Sequence, residues 1–176
     1  MMVAALWGFA EATLFFIVPD VWISLVALRD RRAGLLACVA AVAGALAGGL
    51  LMYAWGSKDP AGAAAALVAI PAIGRRMIEE VRRSLSSTGF LSLFVGPLTG
   101  TPYKIYAVES GAIGASLPLF LLVSIPARGA RFLLVALAAS WASARPLQRW
   151  PLDRKRLAAI AAWFVFYALF FAVKSR

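Results

Sequence analysis

G-P-L-T-G-T-P-Y-K, from Gly96 to Lys104, and S-I-P-A-R-G-A-R-F, from Ser124 to Phe132, are the two runs on which the fold turns. The first sets the helix breakers Gly96, Pro97, Gly100 and Pro102 in apolar surroundings and then brings in Lys104. The second places Arg128 and Arg131 three residues apart, on one helical face, inside a stretch otherwise apolar enough to cross a bilayer. In hydrocarbon a freed peptide group has no water to bond. A central Lys or Arg is penalised there by roughly 2.5–3.5 kcal/mol on insertion scales. Three cations kept beside a broken backbone are expected to be used rather than tolerated.

Working outward, the chain has 176 residues, is 62% hydrophobic and carries a formal net charge of +10. The hydrophobic share exceeds the roughly 45–50% usual for soluble domains, and long stretches lack charge, so a single integral membrane domain is expected. The excess charge sits in Arg clusters between apolar stretches, where it sets topology and meets anionic headgroups. Basic groups interleaved with spans make no continuous groove, so nucleic acid is not an expected partner. Cys38 is the only cysteine and lies among Ala and Gly, a small packing residue without an internal disulfide partner. There is no histidine, which removes the usual ligand of haem, copper and zinc sites and the base of Ser-His and Cys-His nucleophiles. No cofactor, metal or catalytic residue is expected. Glu11 interrupts the first apolar run, and no basic segment precedes it, so no cleaved signal peptide is expected.

Residues 1–28 make a faulty span. Glu11 lies in its middle, and Pro19 is expected to stop a helix at about Val18, leaving a piece too short to cross. Two half-length pieces about a polar break predict a re-entrant hairpin; a single kinked span is the alternative. Residues 33–55 form a full span in which Gly44 and Gly48 have the small-xxx-small spacing of close helix contacts. From Pro71, the apolar residues Ile73, Met77, Val81 and Leu85 recur every four positions opposite a charged face. That predicts an amphipathic helix over 71–87, either lying on headgroups or packing on the protein as an ordinary solvated helix. The Ala-rich patch before it carries no signal. Residues 90–114 form a second broken hairpin, and 117–142 and 157–173 are full spans, the last ending near Lys174 and Arg176.

The expected fold is all-α and membrane-embedded. It has two opposed re-entrant hairpins, about three transmembrane helices and one interfacial helix. Interrupted segments at corresponding places in two halves point to a transport site at the midplane. If the first hairpin enters from the cytoplasm, the loops at Arg29–Arg32 and Arg145–Arg156 share that side, with Arg75–Arg83 opposed. Hairpins meeting tip to tip would bring Glu11 and Asp20 to Lys104, Arg128 and Arg131. Arg and unwound backbone N–H groups suit a phosphate headgroup whose tails remain in lipid, with Thr101 available as a hydroxyl. Glu11 or Asp20 would then carry a proton; alternatively, Glu11–Arg and Asp20–Lys pairs are purely structural. Glu109 is a weaker candidate that faces the aqueous end.

E-A-T-L-F-F-I-V-P-D at Glu11–Asp20, T-P-Y-K at Thr101–Lys104 with the following A-V-E-S-G-A, and A-R-G-A-R-F at Ala127–Phe132 resemble the DedA family, the bacterial members of the VTT (SNARE-associated) superfamily. The resemblance spans roughly Ala5 to Leu137. It implies two opposed re-entrant hairpins in a bacterial inner-membrane lipid transporter or flippase. The implied substrate is undecaprenyl phosphate or a phospholipid such as phosphatidylethanolamine, moved in a proton-dependent way; eukaryotic relatives are scramblases. By position, Glu11 and Asp20 match the family's acids, and Lys104, Arg128 and Arg131 its bases. The sequence departs from the family pattern at Phe16, where many relatives have proline, at Lys104, where they have arginine, and around Gly96-Pro97, which lacks an arginine. Two other readings stand beside transport. One is a non-transporting structural or partner-docking protein; the other is a lipid-phosphate enzyme, which the lack of a His base and paired metal carboxylates disfavours.

Overall fold

A computed structural model describes residues 1–174, the side chains of Pro97, Leu98, Val173 and Lys174 and all of Ser175 and Arg176 lying outside the described residues. The described residues form nine α-helices, one 3₁₀ turn and no strand: α1 (Met2–Ala12), α2 (Asp20–Ala27), α3 (Arg31–Lys58), α4 (Pro60–Val68), α5 (Arg75–Thr88), α6 (Ser92–Thr99), α7 (Tyr103–Ala112), α8 (Leu117–Ala144) and α9 (Leu152–Lys174). Three of them, α3, α8 and α9, are long and apolar enough to cross a membrane.

The axis of the molecule is α3. Asp30 opens it by accepting the Arg32 N–H at 2.8 Å, and its glycines let other helices touch its backbone. A side chain at Gly44 would strike the Ala5 carbonyl of α1, and one at Gly56 would strike the Val108 carbonyl of α7. Gly48 faces Phe9, Gly49 faces Tyr103 at the start of α7, and Gly111 near its end reaches Ser57. Residue numbers rise together along both seams, so α1 and α7 each run parallel to α3, one on each half. The spacing of Gly44 and Gly48 thus marks a true contact face.

The two breaks follow from local chemistry. Helix α1 ends at Ala12, six residues before the position expected from Pro19 alone, because Pro19 is only the cap of α2. The upstream end is set by Thr13, whose hydroxyl donates to the Phe9 and Ala10 carbonyls. Trp7 Nε1 then donates to the Ile17 carbonyl at 3.0 Å, and the Val18 N–H to the Tyr167 hydroxyl at 2.8 Å. Residues 13–19 are an irregular connection rather than a kink within one helix, and several of their freed peptide groups find partners inside the protein. A three-residue link turns α2 into α3 with Ala27 against Gly34. Hence α2 runs opposite to α3 and to α1.

The second break is shorter than expected. Gly96 and Pro97 fall within the bounds of α6, which ends at Gly100 in the left-handed region (φ +73°). The Thr101 N–H returns to the Gly96 carbonyl at 2.8 Å, as in a left-handed helix cap, and Pro102 caps α7. Phe90, just before α6, lies against Phe120, which stacks on Tyr53 near the far end of α3. The α6–α7 break therefore comes in from that far end and stops near mid-α3, where the Tyr103 hydroxyl sits at Gly49.

Four expectations need correcting. The charged helix begins at Arg75, not Pro71, because residues 71–74 form a bend with Ala72 at φ +67°. Its apolar stripe, Ile78, Val81 and Leu85, is buried in the protein core rather than turned to headgroups. The Ala-rich patch is α4, which Asp59 and Pro60 announce as cap and first residue. The last span starts at Leu152, so Arg154, Lys155 and Arg156 are helical rather than in a loop. Gly44→Leu and Gly56→Leu should each lower stability in detergent by at least the roughly 1–3 kcal/mol of overpacking. Ala72→Gly should raise it by roughly 1 kcal/mol by relieving the left-handed strain; thermal loss of the monodisperse chromatographic peak measures all three.

Candidate functional site

The ionic residues of the two breaks and of α8 converge beside mid-α3. Glu11, the penultimate residue of α1, pairs with Arg128 of α8, and both are buried (4% and 3% exposed). One turn away on α8, Arg131 pairs with Asp20, the first residue of α2, which is fully buried. Arg128 is also held between two aromatic rings, Tyr103 and Phe132, each centroid 4.9 Å from the guanidinium carbon. The Tyr103 hydroxyl hydrogen-bonds the Ser124 hydroxyl at 3.0 Å, and Ser124 in turn donates to the Phe120 carbonyl. This shell orients Arg128 from three helices.

Lys104 differs from the two arginines. It is 2% exposed, yet its Nζ donates to a backbone carbonyl, that of Phe15 in the first break, at 2.5 Å. No carboxylate among the described residues pairs with it. The expected Asp20–Lys pairing is thus replaced by Asp20–Arg131. Lys104 ties one break to the other while keeping two of its three donors uncommitted to that bond. Two buried polar atoms of the cluster, Asp20 Oδ1 and Arg128 Nε, have no hydrogen-bond partner among the described residues.

A cavity of about 750 Å³ adjoins the cluster. Glu11, Asp20, Lys104, Arg131 and Thr101 line it, together with Gly100 and Pro102 of the second break. Arg128 does not; it stands behind Glu11. The opposite wall is α9, with Trp163, Phe166, Tyr167, Phe170 and Phe171. Of the expected breaks, Pro19 caps α2, fully buried and not part of the cavity lining, and Pro97 lies outside the described side chains. The cavity therefore has charge on one side and rings on the other.

The sequence marks residues 157–173 only as a span, without a role in the site. Helix α9 holds the site through Trp163, whose Nε1 donates to the Ser24 hydroxyl at 3.0 Å, and Tyr167, which meets Val18. The polar aromatics four residues apart on an apolar helix were the available signal. Glu109 does not face water: it is 1% exposed and accepts from Arg82 of α5 at 2.6 Å. That bond raises the Arg82 guanidinium further above its ordinary range and pins α5 to α7. Among the described residues no cluster of three or more His, Cys, Asp or Glu side chains could hold a metal ion. No family profile, curated protein or solved structure matches the chain.

Removing one member of a buried ion pair strands the other, at about 3–5 kcal/mol. Arg128→Gln should therefore destabilise strongly, while the Glu11→Gln, Arg128→Gln double variant should recover most of the loss. Melting temperatures of the four proteins in one detergent give the coupling; additive losses would show that the pair contributes nothing.

Proposed function

We propose that this chain is a membrane lipid transporter of the DedA type, in which α1–α2 and α6–α7 are re-entrant hairpins. Their tips meet at mid-bilayer around a phosphate-bearing lipid headgroup. The bacterial inner membrane is the setting this reading implies, with undecaprenyl phosphate or a phospholipid such as phosphatidylethanolamine as substrate. The observation that carries the proposal is Lys104: a buried cation without a carboxylate partner, in a cavity whose other wall is aromatic and apolar.

The chemistry runs as follows. Two donors of Lys104 and the hydroxyl of Thr101 receive phosphate oxygens, with the headgroup in the polar half of the cavity. The lipid tails lie against α9, whose apolar window buries nothing inside the protein. A phosphate arriving beside Arg131 competes with Asp20 for the guanidinium. A carboxylate stripped of its partner in low dielectric is expected to take a proton rather than remain charged. Headgroup movement and proton uptake are coupled by this exchange.

A second reading, a non-transporting structural or docking protein, is favoured by the pairing of Glu11 with Arg128 and Asp20 with Arg131. The two are separated by reconstitution into liposomes with labelled phosphatidylethanolamine or undecaprenyl phosphate. Transport predicts movement between leaflets without covalent change. Lys104→Ala should slow it by about tenfold or more, the worth of a charge-assisted hydrogen bond, and Lys104→Arg should restore it. Glu11→Gln and Asp20→Asn should abolish its dependence on a pH gradient; folded variants that keep that dependence would end the proton role. No movement with wild-type protein would favour the structural reading, and release of phosphate an enzyme.

A further inference from the structure

The cavity is longer than the ionic cluster requires. Beyond Asp20 and Arg131 it continues between α8 and α9 to Leu147 and Lys155. This end lies where α2, α3, α8 and α9 come together. Ser143 of α8 donates to the Leu28 carbonyl at 2.7 Å. Lys155 Nζ donates to both the carbonyl and the hydroxyl of Ser143, each at 2.9 Å. A lysine has three donors, so one N–H of Lys155 remains for a ligand in the cavity it lines.

The extension exists because the seam is walled by methyl groups. Ala138, Ala139 and Ala142 of α8 face Ala158, Ala159 and Ala162 of α9 along it. Elsewhere in the fold small residues bring backbones together, as at Gly44 and Ala5; here they leave space between the helices. At the inner end the cavity stops at the loop containing Ile70 and Ile73 and at the Gly100–Pro102 break. It joins one lysine at an end of the molecule to another at mid-α3.

Charge marks the same end. Arg29, Arg31, Arg32, Arg145, Arg149 and Arg154 surround it in sequence, with Asp30 and Asp153 the acids nearby. Asp30 is already engaged by the Arg32 N–H. Such a collar concentrates anionic headgroups at the surface by about 1 kcal/mol per cation.

We infer that a phosphate-bearing lipid headgroup enters at Lys155, from the leaflet facing this Arg-rich end, and reaches Lys104 along the alanine-walled passage between α8 and α9. The inference rests on the transport reading above and adds to it a loading residue, a side and a route. Lys155 is a way station: it passes toward Arg131 and Lys104 an anion that the alanine-walled stretch itself is too apolar to hold. The Asp20–Arg131 pair stands along that route.

Two experiments test it separately from the transport reading. In nanodiscs of phosphatidylcholine, exposed Trp150 beside the collar reports on phosphatidic acid brominated in its acyl chains, with Trp150→Phe identifying its share of the fluorescence. Quenching at low lipid fraction should weaken about tenfold in Lys155→Gln and return in Lys155→Arg. Unchanged quenching in Lys155→Gln, or displacement of the lipid by equimolar inorganic phosphate, would overturn the site. In proteoliposomes, Ala159→Leu and Ala142→Leu fill the passage while leaving the ion pairs in place. They should slow movement of labelled lipid from the collar-side leaflet about tenfold, whereas Ala159→Ser should not. Full transport by both leucine variants would overturn the route. Wild-type protein that binds phosphatidic acid through Lys155 yet moves no lipid would instead overturn the transport reading.

Discussion

The pairing of Glu11 with Arg128 is the constraint on which the rest of the molecule depends. Both groups are buried within reach of lipid-facing helices, where an unpaired charge costs several kcal/mol. Their union fixes the end of α1 against the middle of α8. With α1 already seated on α3 through Gly44, three helices are locked together. Tyr103 and Phe132 then close over the guanidinium and bring in α7. A second pair, Asp20 with Arg131, repeats the device one turn along α8 and holds the start of α2. The breaks on either side are stable because each is cross-linked by charge, not because their short helices are strong; pieces of eight residues have little stability of their own.

Against that neutralised background Lys104 is the odd charge. Its partner is the Phe15 carbonyl, a dipole that can be given up without stranding an opposite ion. The arginines could not be released so cheaply. The Lys104–Phe15 contact stands where the two breaks touch, beside a framework already held by the two arginine pairs. The cavity on this side is mixed in character, ionic beside the two breaks and aromatic on the α9 side.

Packing is distributed unevenly, and that unevenness places the cavity. On α3, glycines bring α1 and α7 into backbone contact and leave no gap. Between α8 and α9, alanines face alanines, and their methyl groups leave the seam unfilled. Helix α9 is held at a few polar points, Lys155 to Ser143, Trp163 to Ser24 and Tyr167 to Val18, rather than by a buried stripe. Helix α5 is fastened in the opposite way, by a buried apolar stripe and the two-point Arg82–Glu109 pair.

The sequence by itself determined the helical class, the three long apolar helices and the two interruptions. The reason is energetic: length, charge and freed peptide groups carry costs in hydrocarbon that leave a mark on composition at each position. It also named Glu11, Asp20, Lys104, Arg128 and Arg131 as one set, since isolated charges at such positions have no neutral explanation. Only the tertiary structure decided who pairs with whom. Asp20 meets Arg131 because α8 presents its arginines a turn apart, and Lys104 is left to a carbonyl fifteen residues into the chain. The same holds for the early end of α1, set by Thr13, Trp7 and a tyrosine from α9, and for the buried stripe of α5. Lys155 could not be singled out from a run of basic residues, because its role depends on an empty seam between two helices, and packing voids arise from the fit of surfaces that no single segment encodes.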